Sequence, residues 1–313
     1  FRFLTSFFSI LTSLEKKLLN EKIDLIYFPV VSDTVFCLKK VKFSLTFLDT
    51  EHFKYNKFPE ITKDEFNRRE NLYIYSFKKS VLNIVSQLSI KKKVCSYYKI
   101  KSDKVIIIPY TPSQIINKPN KSEKINNKLK SLKNYIFYPA QIWGHKNHIS
   151  ILKAAKIIQK KGFDNLFVFS GLDRGFKIYL DEFIKSNKIK NILFTGYLNS
   201  REMDFIYKNC KGVIFTSIFG PDAIPPLEAW SYKKPLIYND RFEDYVSKNT
   251  AITIDIENAE LISKALIKIL NNKYNKQFIL NGIKKLNFIE KESKDSYKFL
   301  NVKLDRLENI YFK

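Results

Sequence analysis

Glycine is scarce in this chain, eight residues in 313, beside ten prolines. A collagen-like or glycine-rich repeat architecture is therefore excluded, and each remaining glycine marks a candidate position where other side chains would be resisted. Cysteine is scarcer still. Cys37, Cys95 and Cys210 stand far apart, with no CxxC and no Cys/His cluster, which excludes a disulfide framework and a zinc finger and fits a reducing cytosol. Imidazole chemistry has three possible seats, His52, His145 and His148. No Asp-x-Asp occurs anywhere. The apolar opening "FRFLTSFFSILTSLEKKLLN" is too short to span a bilayer and ends in charges. Leu4, Phe7, Phe8, Leu11 and Leu14 recur in it at helical spacing, which predicts an amphipathic helix packed on a domain. It lacks an initial Met and a small-residue cleavage site, so it does not read as a signal peptide.

What is present is ample material for a core: 45% hydrophobic residues, with 27 Phe and 18 Tyr. A chain of this length exceeds one ordinary core and predicts two domains. The formal charge of +24 resembles a nucleic-acid signature. Only seven of the 55 basic residues are Arg, however, and Arg is the better reader of phosphates and bases. The abundance of Lys, Asn and Ile throughout reads as a compositional bias spread over solvated faces. Nucleic acid is not the expected partner, although such a surface suits anionic lipid.

Strand-length apolar runs alternate with helical patterns from residue 135 onward: "YIFYPA", "NLFVFSG", "NILFTGYL", "GVIFTS", "PLIYND" and "AITIDI", with helices near Asn147, from Ser200 and after Ile224. Such alternation predicts right-handed βαβ crossovers and a parallel doubly wound sheet. Before it, "IDLIYFPV", "VKFSLTFL", "VLNIVSQ" and "KVIIIPY" predict four more strands. The expected organisation is α/β throughout. A partial first Rossmann-like domain spans 1–118, a Lys/Asn-rich linker 119–134, a second Rossmann-like domain 135–290, and a terminal helix 291–313 packs back on the first domain. A cleft between the two domains would receive the carboxyl ends of the strands, where ligands bind in such sheets.

Two loops carry the chemical signal. "SIFGPDAIPPLEAW", residues 217–230, spends a glycine and three prolines on the approach to a helix, and "YPAQIWGHKNH" places Lys146 just before another helix start. Exposed N–H groups at a helix N-terminus favour an anion. A lysine and two helix starts at strand ends describe a cradle for a diphosphate. A lone lysine is ordinarily solvated, and Glu228 read alone is a first-turn carboxylate favoured by the helix dipole; it is the loop context that turns both toward a ligand.

These segments together resemble the nucleotide-sugar half of the group 1 (family 4) retaining glycosyltransferases of the GT-B fold, over about residues 135–290. The resemblance implies that Glu228 is the second glutamate of a Glu-x7-Glu motif and binds ribose hydroxyls. Gly220 stands where the first glutamate belongs, leaving Asp222 and the amides of Ala223 and Ile224 to contact the transferred sugar. Of the family's Arg and Lys on the diphosphate, Lys146 is kept and Gln141 replaces the Arg. Gly171 joins the donor set, and the nucleobase is expected beside Gly196 and Tyr197. In the first half, "TFLDTEHFKYNKFPE" resembles the acceptor side, with Asp49 and His52 as candidates for proton transfer or for orienting a hydroxyl; packing is the alternative for His52. The implied reaction moves a sugar, with retention, from a nucleotide diphosphate to a glycan or lipid-linked saccharide. Lys146 stabilises the leaving group, and neither metal nor cofactor is expected. The family's first strand and glycine-rich loop have no match, so the chain reads as N-terminally truncated. A catalytically silent transferase fold and a polyanion-binding protein are the competing classes.

Overall fold

The computed structural model of the chain describes residues 11–54, 58–113, 119–120, 122–220, 224–241 and 246–311. Contacts gather into two units, one within Phe1–Tyr110 together with Glu290–Lys313, the other within Thr111–Ile289.

The first unit opens with α1, Ser13–Asn20, capped by Thr12, whose Oγ1 accepts the Glu15 amide at 3.1 Å and donates to the Cys37 carbonyl at 3.0 Å. Leu4, Phe7 and Phe8 of the expected amphipathic stripe lie outside the described residues. Inside the helix it is Glu15 that is fully buried, while Leu14 is exposed. One Glu15 oxygen accepts the consecutive amides of Lys39, Lys40 and Val41 at 2.6, 2.5 and 3.0 Å. Burial of that carboxylate is offset by this nest of donors, which pins the chain just before its second strand.

Four strands follow, β1 Leu25–Phe28, β2 Lys42–Thr46, β3 Leu82–Val85 and β4 Val105–Ile107, with α2 Lys63–Lys79 and α3 Leu88–Tyr98 between the later ones. They pair in parallel in that order. Both faces of a parallel sheet are covered, so its strands read as continuous apolar runs. On one face Phe43, Leu45, Phe47, Leu72, Phe77 and Val94 form the core. On the other, Leu82, Ile84, Ile106 and Ile108 receive Leu300 and Leu307 from the terminal helix.

In the second unit the elements are α4 Asn127–Lys130, β5 Tyr135–Pro139, α5 His148–Lys160, β6 Leu166–Ser170, α6 Lys177–Ser186, β7 Ile192–Gly196, α7 Ser200–Asn209, β8 Gly212–Phe215, α8 Ile224–Ser231, β9 Leu236–Asn239, β10 Ile252–Ile254 and α9 Ala259–Leu270, and the terminal helix α10, Gln277–Tyr311, starts here and belongs to the first unit from Glu290 onward. Local chemistry sets several boundaries. Asn199 and Glu202 close a reciprocal capping box at the start of α7, and Asn258 caps α9 through its side chain. The parallel sheet runs β10-β9-β8-β5-β6-β7. This is the doubly wound order in which the chain leaves the first strand in one direction and returns in the other, so the crevice beyond the carboxyl ends opens between β5 and β8. The expected doubly wound sheet is therefore present, with all six of its predicted strands. Gly282 of α10 sits against Trp230: a Cβ there would come within 2.4 Å of the indole, so only glycine lets the helix cover that ring.

Candidate functional site

The loops leaving β5 and β8 meet at the switch point, and a dense set of bonds ties them together. After β5 the chain makes a short 3-10 turn, Gly144–Lys146, then passes through Asn147 in the left-handed region, φ 55°. Asn147 is anchored by its side chain, which donates to the Ile256 carbonyl at 3.1 Å and accepts from Ser150 at 2.8 Å. The Lys146 carbonyl accepts the Tyr138 hydroxyl at 2.6 Å and the Thr216 hydroxyl at 3.1 Å, and the Ile218 amide donates to the His145 carbonyl at 2.8 Å. The His145 ring stacks on Phe219 with centroids 4.0 Å apart. Lys146 is thus held by its backbone, and its ammonium donates to Ser217 Oγ at 3.2 Å. Ser217 in turn is fixed by its own hydroxyl on the Phe219 carbonyl and by Asn239 Nδ2 on its carbonyl.

Gly220 faces this ammonium. Its φ is +86°, and a Cβ built there would lie 4.0 Å from Lys146 Nζ. Asp222 and Ala223 lie outside the described residues. Ile224 opens α8 and is partly exposed. Pro225 and Pro226 occupy the first turn, where N–H groups have no intrahelical acceptor and proline costs nothing.

Glu228 follows one turn later and is only 5% exposed. Its Oε2 accepts the Tyr207 hydroxyl at 2.6 Å. Burial pushes the carboxyl up from its ordinary value, and the Tyr207 bond opposes that rise. Tyr207 is itself fully buried, stacked on Tyr232 at 5.0 Å and edge-on to Phe137 at 4.9 Å.

Gly171 ends β6 with φ +148°, and a Cβ there would sit 2.4 Å from the Ala140 carbonyl oxygen. Its amide donates to the Gly196 carbonyl at 2.9 Å, so Gly171 lets the ends of β5, β6 and β7 close on one another. Tyr197 is 75% exposed. Gln141 is exposed and its Oε1 accepts both Trp143 Nε1 at 3.0 Å and Arg174 Nε at 3.1 Å. Arg174 was not singled out from sequence. The fold brings its guanidinium onto Gln141, and the "LDRG" after β6 was the available signal. His148, the first residue of α5, is fully buried against Tyr138 and Phe169. Burial first, and the Lys146 and His145 charges second, push its pKa down to about 3.

In the first unit Asp49 Oδ1 accepts the Glu51 amide at 3.0 Å. Asp49 lines a hollow of about 210 Å³ with Val30, Leu48, Arg69 and Tyr73 at the carboxyl ends of β1 and β2. His52 is corrected to the packing alternative. The 3-10 turn Glu51–Phe53 folds its ring inward to 0% exposure, Nε2 bonds Glu70 Oε1 at 2.7 Å, and Phe53, Phe66 and Tyr73 enclose it. Among the described residues the imidazole meets a carboxylate and rings. Among the described residues no cluster of three His, Cys, Asp or Glu side chains could hold a metal, and no helix is long and apolar enough to cross a membrane.

A lysine, a glycine and a buried glutamate thus gather around the switch point of the doubly wound unit. The family model for Glycosyl transferases group 1 matches residues 119–285. The chain belongs to that family. It is 26% identical over 153 residues to the O-antigen chain mannosyltransferase RfbU of Salmonella typhimurium, a match covering 49% of this chain and 40% of that protein; the chain thus spans less than half of that relative's length. Among solved structures it is similar to Anabaena HepE in complex with UDP-glucose, with TM-score 0.68, 13% identity, 93% of this chain and 83% of that one. It is also similar to WaaG, a glycosyltransferase involved in lipopolysaccharide biosynthesis, with TM-score 0.67, 13% identity, 90% and 80%. These likenesses show a shared GT-B fold.

Proposed function

We propose that the chain transfers a hexosyl group from a nucleoside diphosphate to a glycan or lipid-linked saccharide, with retention at the anomeric carbon and without a metal. The observation that carries this reading is the Lys146 ammonium, fixed on Ser217 beside Gly220 at the switch point. The ammonium and the N-terminus of α8 lie where charge grows on the departing diphosphate, and preorganised charges of this kind lower the barrier without reorganising. Arg174, oriented by Gln141, adds positive charge at the neighbouring strand end. Glu228 receives the ribose hydroxyls, and the exposed Tyr197 offers a ring to the base. Asp49 is the residue of the first unit assigned to the acceptor hydroxyl, since it is polar, accessible to a hollow and at strand ends. We place the protein on the cytoplasmic side, where nucleotide sugars are made, with its basic surface able to rest on anionic lipid.

The reading is tested by a thermal-shift screen of nucleoside diphosphates and their sugars, since a ligand of the native state raises its stability. One nucleotide series should stabilise the protein. Lys146→Ala should weaken that ligand by the worth of a hydrogen bond to a charged group, about 1.5–3 kcal/mol or roughly 10- to 150-fold. No response to any nucleotide, with binding instead to arbitrary nucleic acid that vanishes as salt rises, would favour a polyanion-binding protein. Binding without turnover would favour a silent fold.

A further inference from the structure

Glu228 is a carboxylate placed almost entirely out of water, and its position alone does not say how it stays both oriented and charged. Two elements converge on it. It projects from α8, and α7 supplies Tyr207, whose hydroxyl donates to Oε2 at 2.6 Å. Among the described residues Oε1 has no partner. Tyr207 cannot swing away: its ring lies between the flat face of Tyr232, 3° from parallel, and the edge of Phe137. Tyr232 is anchored through its hydroxyl on Asp204, 2.8 Å away. The row Asp204–Tyr232–Tyr207–Glu228 is therefore a rigid side-chain stack that ends on one carboxylate oxygen and leaves the other for a ligand.

We propose that Tyr207 is the positioning residue of the donor site: its hydroxyl holds Glu228 in one rotamer and keeps it a carboxylate, so that Oε1 can accept a ribose hydroxyl of the nucleoside diphosphate. This rests on the reading of Glu228 given above. The chemistry is specific. A hydroxyl donating to a carboxylate favours the charged form, and only the charged form accepts at both oxygens. The titratable groups facing Glu228 and Tyr207 are Tyr232 and Cys210, both neutral at physiological pH because burial raises them; no cation among them substitutes for the hydroxyl. Deleting the Tyr207 hydroxyl leaves the carboxyl with burial alone, and it then protonates at a higher pH.

The experiment is calorimetric binding of UDP, GDP and ADP to the full chain between pH 5 and 8, for the unaltered protein, Tyr207→Phe and Glu228→Gln. Tyr207→Phe keeps the ring stack, so thermal unfolding should show it folded. With the nucleotide that binds, Tyr207→Phe is expected to bind about threefold more weakly at pH 8, where rotamer freedom alone is regained. Its affinity should then fall away on acidification at a higher pH than in the unaltered protein. Glu228→Gln should be weaker throughout and show only the titration of the ligand's own phosphate. A Tyr207→Phe profile superimposed on that of the unaltered protein, with Glu228→Gln still weak, overturns the role of Tyr207 and leaves the donor site standing. Full-strength binding by Glu228→Gln, or no nucleotide binding by the unaltered protein, overturns both.

Discussion

Replacing Gly171 with alanine tests how tightly the strand ends around the site are closed. The new Cβ would lie 2.4 Å from the Ala140 carbonyl oxygen and 2.6 Å from both the Ala140 carbonyl carbon and the Gln141 nitrogen. Comfortable carbon contacts begin near 3.5 Å, so the end of β5 must retreat by about 1 Å. Three bonds resist: the Ala140 amide on Ser170, the Ile142 amide on Leu172 and the Gly171 amide on Gly196, at 2.9, 3.0 and 2.9 Å. Losing one or two of them costs about 1 kcal/mol each. A non-glycine residue at φ +148° adds about 1–3 kcal/mol. The total, roughly 2–5 kcal/mol, should lower Tm by about 4–20 °C for a unit of this size. The retreat also carries Gln141 and the loop to Lys146, and misplacement by about 1 Å can cost about 100-fold in rate. Gly175→Ala is the control, because φ there is +90° but nothing lies within 4 Å of a Cβ; it should show conformational strain alone. Scanning calorimetry on both variants decides. A Gly171→Ala protein melting within about 2 °C of the parent, or no worse than Gly175→Ala, would refute the close-approach argument.

On the proposed reading, in which Lys146 and a helix N-terminus take the place of a cation, donor binding and turnover should survive exhaustive chelation by EDTA; activity lost on chelation and restored by magnesium would reverse this. His148 should make the fold acid-sensitive. Its folded pKa is depressed to about 3 from the ordinary 6.5, so between those values the unfolded chain holds a proton that the folded one refuses. Stability is complete above pH 6.5 and falls by about 1.4 kcal/mol per pH unit below it. His148→Phe, which keeps the packing on Tyr138 and Phe169, should melt with a flatter dependence between pH 7 and 5, and superimposable profiles would rule His148 out. Gly282→Ala should destabilise by roughly 1–3 kcal/mol, since its Cβ overlaps the Trp230 ring; an unchanged urea midpoint would show that α10 can shift off the indole freely.

The strands and their helices were legible because that information is local. An apolar run of strand length, a 3.6-residue stripe and a capping side chain each act within a few residues, and "YIFYPA", "NLFVFSG" and "GVIFTS" all became strands of one parallel sheet. The loops were legible for the same reason: Lys146, Gly220 and Glu228 stand at fixed offsets from strand ends and helix starts. What sequence could not supply was which distant groups those residues meet. His52 looked like a polar residue entering a loop, yet a short turn folded its ring onto Glu70, eighteen positions away. Glu15, on which the sequence gives no signal, clamps three amides of residues 39–41. Arg174 reaches Gln141 across 33 positions, and Tyr207 reaches Glu228 across 21. Those meetings follow from strand order. Once β8 pairs with β5 rather than β7, the loops after them face each other and Lys146 finds Ser217, 71 residues away. Periodicity determined which segments would be buried in a sheet; the sheet's order, settled only when every strand competes for neighbours in the packed core, decided which side chains share the site.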